Sequence, residues 1–352
     1  MVKERQALKN IKNYVPGQEI AGNIKLASNE NPLGPSPAAK KAVNRALGEL
    51  AVYPDKECAV LKEKIAKQLG LSKENVAVGN GSDDLLFMIA AAYLEAGDEV
   101  VISKTTFSGY EFNSRLFGAE PVFVELKNWN YDLEAIWKAV TPKTKIVFLC
   151  NPNNPTGTIF YQNELDDFLA KLPASVMLVI DEAYCEYATH DHFPKSLKYL
   201  EQSFENVIIL RTFSKIYGLA GLRVGYALAK MPVIASLNKV RQPFSVNRLA
   251  QIAASAAVND SVFLKRSRKN NEQGKKYLYQ ELDKLKLSFV ITEANFIFID
   301  LKQDAAALYQ RLTARGLTVR PLNSFGCSQA IRVTIGTPKQ NSEFIKQLKQ
   351  VL

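Results

Sequence analysis

The chain has 352 residues and is 47% hydrophobic, which suits one large globular unit or two domains with a substantial core. No apolar run approaches the ~18 residues of a membrane span, and the polar start "MVKERQALKN" lacks the apolar region of a signal peptide, so a cytoplasmic protein is expected. The formal charge of +10 invites a nucleic-acid partner, but the lysines are spread over helix-like stretches such as "LKEKIAKQLG" without interleaved aromatics, which reads as solvated faces with a mild bias toward anionic small molecules.

The first thirty residues are irregular and rich in Asn, Pro and Gly. From residue 76 short apolar runs follow one another: "VAVG" (76–79), "EVVIS" (99–103), "PVFVEL" (121–126), "KIVFLC" (145–150), "VMLVID" (176–181), "VIIL" (207–210) and "VGYALA" (224–229). Such runs suit strands covered on both faces. They alternate with amphipathic stretches such as "DDLLFMIAAAYLEAG" and "YQNELDDFLAKL". The alternation predicts an α/β fold with a seven-stranded, mostly parallel sheet in a large domain. Beyond residue 245 a long helical region, "NRLAQIAASAAV" to "YLYQELDKL", leads to "ANFIFIDL", "LTVRPL" and "AIRVTIGT". These read as short strands packed with helices in a smaller α+β domain. The four cysteines, Cys58, Cys150, Cys185 and Cys327, form no C-x-x-C pair, and with two histidines they leave no zinc spacing. His190 and His192 in "ATHDHF" read as a solvated loop rather than metal ligands.

Ligands of such sheets bind beyond the carboxyl ends of the strands, so the residues after each run carry the information. After the first, "GNGSDD" puts Ser82 and Asp83 at a helix start. Free N–H groups and the helix dipole there suit a phosphate, and an ordinary N-cap explains the same residues. After the second, Phe107 offers a flat apolar face to an aromatic ligand or fills the core. After the fourth, "NPNNPTG" makes a rigid turn that can hold the Asn154 amide toward a ligand oxygen. After the fifth, Asp181 ends an apolar run, where an unpaired carboxylate is costly and wants a cation, with the Tyr184 phenol close by. After the sixth, "TFSKIYGLAGLRVGY" brings the hydroxyls of Thr212 and Ser214, the Lys215 amine and the Arg223 fork, which matches phosphate. A partly desolvated amine among cations is a competent nucleophile toward a carbonyl. Gly218, Gly221 and Gly225 let the backbone turn back close to these groups. Pyridoxal 5'-phosphate uses all of these parts: an aldehyde for the lysine, a ring to stack, a phenolate oxygen for Asn154 and Tyr184, a pyridinium nitrogen for Asp181 and a phosphate for the helix start.

"NPNNPTG", "DEAY" and "TFSKIYGLAGLRVGY" closely resemble the motifs of the fold type I pyridoxal-phosphate aminotransferases, class II subfamily. Within them, "LASNENPLGPSP", "YP" at 53–54, "GNGSDD" and "IRVTIGT" are similar to the histidinol-phosphate aminotransferases, nearly end to end. The resemblance implies a homodimer with the active site at the subunit interface. It implies Lys215 as the covalent attachment point, Asp181 on the ring nitrogen, Asn154 and Tyr184 on the phenolate, and Phe107, where many relatives carry tyrosine, stacked on the ring. Lys215, Asp181 and Tyr184 are the implied catalytic residues. Ser82, Asp83, Thr212, Ser214 and Arg223 are implied for the phosphate, with Tyr53 reaching it from the neighbouring subunit. Arg332 matches the arginine that holds the substrate α-carboxylate in most aminotransferases and meets the substrate phosphate in this branch. Arg320 and Tyr14 are expected beside it as substrate-binding residues. The expected division is an N-terminal arm over residues 1–30 joining the small domain, a large cofactor-binding domain over 31–245 and a small C-terminal domain over 246–352. The expected reaction moves an amino group between L-histidinol phosphate and 2-oxoglutarate in histidine biosynthesis. An aromatic amino-acid aminotransferase and a threonine-phosphate decarboxylase of the same fold stay open at this point. A basic nucleic-acid-binding protein, or a cofactor-bound module without catalysis, is the rival of another class.

Overall fold

The computed structural model describes residues 2–11, 20–202 and 204–352. Thirteen strands are found among them. β1 (Ile24–Lys25) and β11 (Leu317–Thr318) form a short parallel pair. β2 (Val76–Gly79), β3 (Glu99–Ser103), β4 (Glu120–Val124), β5 (Thr144–Cys150), β6 (Met177–Asp181), β7 (Val207–Thr212) and β8 (Gly225–Leu228) form a seven-stranded sheet in the order β2-β8-β7-β6-β5-β3-β4. β9 (Ser288–Phe289), β10 (Phe296–Asp300), β12 (Arg320–Leu322) and β13 (Cys327–Thr334) form an antiparallel sheet in the order β12-β13-β10-β9.

The large sheet is parallel from β7 to β4, while β8 runs antiparallel to both β7 and β2. Parallel neighbours need long crossovers, and helices such as Gly109–Leu116 between β3 and β4 and Gln162–Lys171 between β5 and β6 supply them, while Ser82–Tyr93 carries the chain from β2 at one edge across to β3. Covered on both faces, β2 and β6 are buried along their whole length, which is why their sequences show no polar alternation. β4 lies at the edge, is half-exposed, and carries Glu120 and Pro121, residues that blunt further strand pairing. The core around this sheet runs from Ala39 to Leu264. A second core joins Leu26 to residues between Leu278 and Val351, where the helices Ser261–Lys284 and Pro338–Val351 cover the small sheet. Among the described residues no helix is long and apolar enough to cross a membrane.

The segment after β1 bridges the two cores. Leu26 N–H donates to Thr318 O at 2.8 Å and Thr334 N–H donates to Leu26 O at 2.9 Å, beside the second sheet. Five residues on, Asn31 Nδ2 donates to Ile216 O at 2.7 Å, in the loop that follows β7. Residues 27–30 are thereby stretched across the ends of both sheets.

Candidate active site

Register assembles the first corner of the site. Thr212 at the end of β7 pairs with Gly225, and Gly225 pairs with Gly79 at the end of β2. A Cβ at Gly225 would stand 2.8 Å from the Ser82 nitrogen, so only glycine lets β8 pass beneath the start of the helix Ser82–Tyr93. The N-cap is Gly81, which supplies no side-chain cap, and Ser82 and Asp83 sit inside the first turn. The simple N-cap explanation of those two residues therefore fails. Arg223, in a left-handed conformation (φ 54°), aims its guanidinium at this turn. It donates to Ser214 Oγ at 3.3 Å and to Asp83 Oδ2 at 3.2 Å. Thr212 Oγ1 donates to Ser214 Oγ at 3.0 Å. Hydroxyls, a guanidinium and first-turn N–H groups converge on one helix start, a combination suited to a phosphate dianion. Gly218 (φ 69°) turns the loop back against Gly34, whose carbonyl oxygen stands 2.1 Å from where a Cβ would be. Gly221 meets nothing and needs no such freedom, so the expected role holds for two of the three glycines.

A buried acid and an amine form the second corner. Asp181, 4% exposed at the end of β6, accepts from the Tyr110 hydroxyl on Oδ2 at 2.7 Å and from Ala183 N–H on Oδ1 at 3.0 Å. Burial pushes its carboxyl up to about 6, opposed by those two hydrogen bonds and by the charge of Lys215. Lys215 Nζ donates to Ser28 O at 3.3 Å and lies 5.4 Å from the Tyr184 ring centre. Tyr184 is buried; its hydroxyl accepts from Asn29 Nδ2 at 3.0 Å and its ring meets Phe296 edge-on at 5.1 Å. Phe107 is half-buried, with its ring edge-to-face on Tyr110 at 5.6 Å.

The third corner is cationic. Arg320 and Arg332 face each other across β12 and β13, so both side chains leave the same face. Both are buried, at 9% and 7% exposure, so Arg320 is no surface residue. Arg332 donates to Asn154 Oδ1 and, at 2.9 Å, to Ala27 O; Arg320 donates to Ser324 Oγ at 3.3 Å. Tyr14 lies outside the described residues. Tyr53 is not gathered into this cluster: it is 77% exposed and stacks on Phe244 at 4.9 Å.

Sequence reasoning passes over four contributors. Tyr110 is one helical turn beyond Phe107, and a buried acid in need of donors is the signal that could have found it. Asn29 fixes the Tyr184 hydroxyl. The carbonyls of Ala27 and Ser28 receive Arg332 and Lys215, and no side-chain pattern encodes a backbone acceptor.

The aminotransferase class I and II family model matches residues 21–348. The histidinol-phosphate aminotransferase of Moorella thermoacetica is 49% identical over 99% of this chain and 92% of its own length. That of Caldicellulosiruptor saccharolyticus is 40% identical over 99% of this chain and 99% of its own. The crystal structure of histidinol-phosphate aminotransferase from Sinorhizobium meliloti in complex with pyridoxal-5'-phosphate aligns with a TM-score of 0.91 at 30% identity, covering 100% of this chain and 98% of that one.

Proposed function

Because the chain belongs to the aminotransferase class I and II family, we propose that it transfers an amino group between L-histidinol phosphate and 2-oxoglutarate, with pyridoxal 5'-phosphate as cofactor. The observation that carries this reading is the placing of the buried Asp181 carboxylate, the Lys215 amine and the Arg223 helix-start corner at adjoining strand ends. The residues fit the cofactor. A buried acid that two donors hold among the described residues wants a cation, which a protonated ring nitrogen supplies, and the helix start without a side-chain cap wants an anion. Ser82, Asp83, Thr212, Ser214 and Arg223 would hold the phosphate. Phe107 would stack on the ring, and Asn154 and Tyr184 would meet the phenolate oxygen.

When bound, the cofactor supplies an aldehyde for amines and a ring that accepts the electrons released at the substrate Cα. Asp181 holds a proton at the ring nitrogen, which makes the ring an electron acceptor. Lys215 Nζ, beside the Ser28 carbonyl, would hold the cofactor's aldehyde and, once the substrate amine has displaced it and left it a free amine, would move the proton at the substrate Cα. Asn29 Nδ2 occupies a lone pair of the Tyr184 hydroxyl, which directs the phenolic proton toward another acceptor. Arg332 and Arg320, with Tyr14 from the N-terminal segment, bind the substrate phosphate; two guanidinium forks on one face of the strand pair suit a phosphate ester. The working unit is read as a cytoplasmic homodimer in which Tyr53 crosses to the neighbouring site. Exposed Leu47, Leu50, Val52 and Tyr53 beside Phe244 are apolar surface of the kind a second copy covers.

The experiment is a donor panel on purified protein supplied with pyridoxal phosphate, with 2-oxoglutarate as acceptor. Histidinol phosphate is expected to outpace phenylalanine as donor, and borohydride reduction is expected to leave a pyridoxyl mark on Lys215. Preference for phenylalanine would assign an aromatic aminotransferase. Release of carbon dioxide from threonine phosphate without consumption of 2-oxoglutarate would assign a decarboxylase. A mark on another lysine overturns the site.

A further inference from the structure

Asp181 stands at the end of β6, paired in register with Cys150 of β5. The groups around it come from four places. The Tyr110 hydroxyl comes from the helix Gly109–Leu116, at 2.7 Å, and the Ala183 N–H comes from the following loop. Asp83, on the helix Ser82–Tyr93, disfavours its ionised form and Lys215, beyond β7, favours it. The thiol of Cys150 lies against the Tyr110 hydroxyl. Tyr110 is 0% exposed and stacks on Phe148 with ring centres 4.8 Å apart and planes 7° from parallel. Burial and the Asp181 charge hold its phenol well above the usual range, so it stays a proton donor. With its ring anchored by stacking, the phenol keeps its oxygen 2.7 Å from Oδ2 of Asp181, to which it donates.

We propose that Tyr110 is a positioning residue for the cofactor: its hydroxyl, acting through Asp181, keeps that carboxylate ionised and turned to receive the ring nitrogen. The inference rests on the reading of Asp181 given under Proposed function. A buried carboxylate has few ways to stay charged. Here one oxygen is held by a backbone N–H and the other by this phenol, so removing the phenol returns the acid to its proton. A protonated Asp181 no longer holds a proton at the ring nitrogen by charge. The loss should grow as pH falls toward the acid's own range and close at high pH, where the carboxylate is ionised with or without its donor.

Cofactor-free wild-type, Tyr110→Phe, Asp181→Asn and the double variant are titrated with pyridoxal phosphate from pH 6 to pH 9, following quenching of intrinsic fluorescence. Tyr110→Phe keeps the stacked ring and removes one oxygen. It is expected to bind roughly ten-fold more weakly near pH 7, with the pH midpoint of binding moved upward and the difference closing by pH 9. In the Asp181→Asn background the same change is expected to alter affinity less than about two-fold, because the two residues act as one unit. An equal, pH-independent loss in both backgrounds makes Tyr110 a packing residue and overturns the proposal, as does full affinity in Tyr110→Phe. If Tyr110→Phe does not fold, 3-fluorotyrosine at position 110, a stronger donor of nearly the same shape, must move the midpoint the other way; an unmoved midpoint overturns the proposal. Wild-type protein that binds no cofactor, or Asp181→Asn that binds as tightly as wild-type, overturns the reading of Asp181 itself and this proposal with it.

Discussion

Asp181 is a residue that the bare fold would be better without. Its carboxyl, at about 6 in the folded chain against 3.8 as a free side chain, holds its proton more tightly folded than unfolded. The contribution of Asp181 to stability is therefore most favourable below 3.8, falls between 3.8 and about 6, and stays reduced above. Asp181→Asn removes the charge while keeping an oxygen for Tyr110. The cofactor-free variant is expected to be more stable than wild-type at pH 8 by about 1–3 kcal/mol. The gain should shrink below pH 6 and vanish near pH 4. Urea melts at the three pH values check this, and a variant no more stable at pH 8 would show that burial does not burden the acid. The same variant should lose cofactor affinity, so opposite changes in stability and binding would mark the carboxylate as kept for function.

At the scale of elements, the segment 27–29 holds three parts of the site at once, since Ala27 O receives Arg332, Ser28 O receives Lys215 and Asn29 Nδ2 donates to Tyr184. Asn29 also takes Thr334 Oγ1 on its amide oxygen at 3.2 Å and gives its own N–H to the same hydroxyl at 2.9 Å. While Thr334 keeps the backbone N–H of residue 29, Asn29→Ala removes the donor to the buried Tyr184 hydroxyl and the acceptor of the Thr334 O–H. It is expected to cost about 1–3 kcal/mol in unfolding and to lower kcat roughly ten-fold, as loss of a preorganised donor does, with little change in KM. Unfolding curves with steady-state kinetics separate the outcomes; full kcat at reduced stability would leave Asn29 a purely structural bridge. This segment also marks where reading the sequence stops. Strands such as Val76–Gly79 and Met177–Asp181 are legible because both faces are covered, so each is an unbroken apolar run ended by turn residues. "VIIL" runs on through Arg211 and Thr212, because the Arg211 guanidinium is satisfied by Glu182 at 2.8 Å inside the fold. Arg211 thus reads as a strand end while lying within one. β1 and β9 are two residues each, too short for any period. The antiparallel direction of β8 follows from the loop 213–224, which returns the chain to the same end of the sheet, and leaves no trace in its apolar pattern. Asp181 is legible as a charge that ends an apolar run, and Lys215 and Arg223 through the unusual run of hydroxyls, glycines and cations that follows β7. Tyr110 and Asn29 are not, since a buried phenol and an Asn in an Asn-Pro-rich arm look like core and turn.

At the scale of the whole molecule, the described chain brings together the phosphate corner, the acid–amine corner and the arginine pair, yet leaves Tyr53 77% exposed on an apolar surface. Such a surface is a liability for an isolated monomer, and a two-fold axis through it would give each site the tyrosine of the other copy. Exchange of subunits tests this without relying on a dimer's mere existence. In a Lys215→Ala homodimer both sites lack the amine, and in a Tyr53→Ala homodimer both lack the tyrosine. If Tyr53 acts across the axis, a hybrid carries both defects in one site and none in the other. If it acts within its own chain, every site of the hybrid keeps one defect. Co-expressed in equal amounts, half of the dimers are hybrids with one of two sites intact, so about a quarter of wild-type activity is expected above the residual level of the parents. Activity that merely averages the two parents places Tyr53 outside the neighbouring site, while light scattering that shows only monomers removes the interface altogether. The same preparation with Leu50→Asp in both chains should lose the hybrid's recovered activity, because one buried charge in an apolar contact is enough to part the copies.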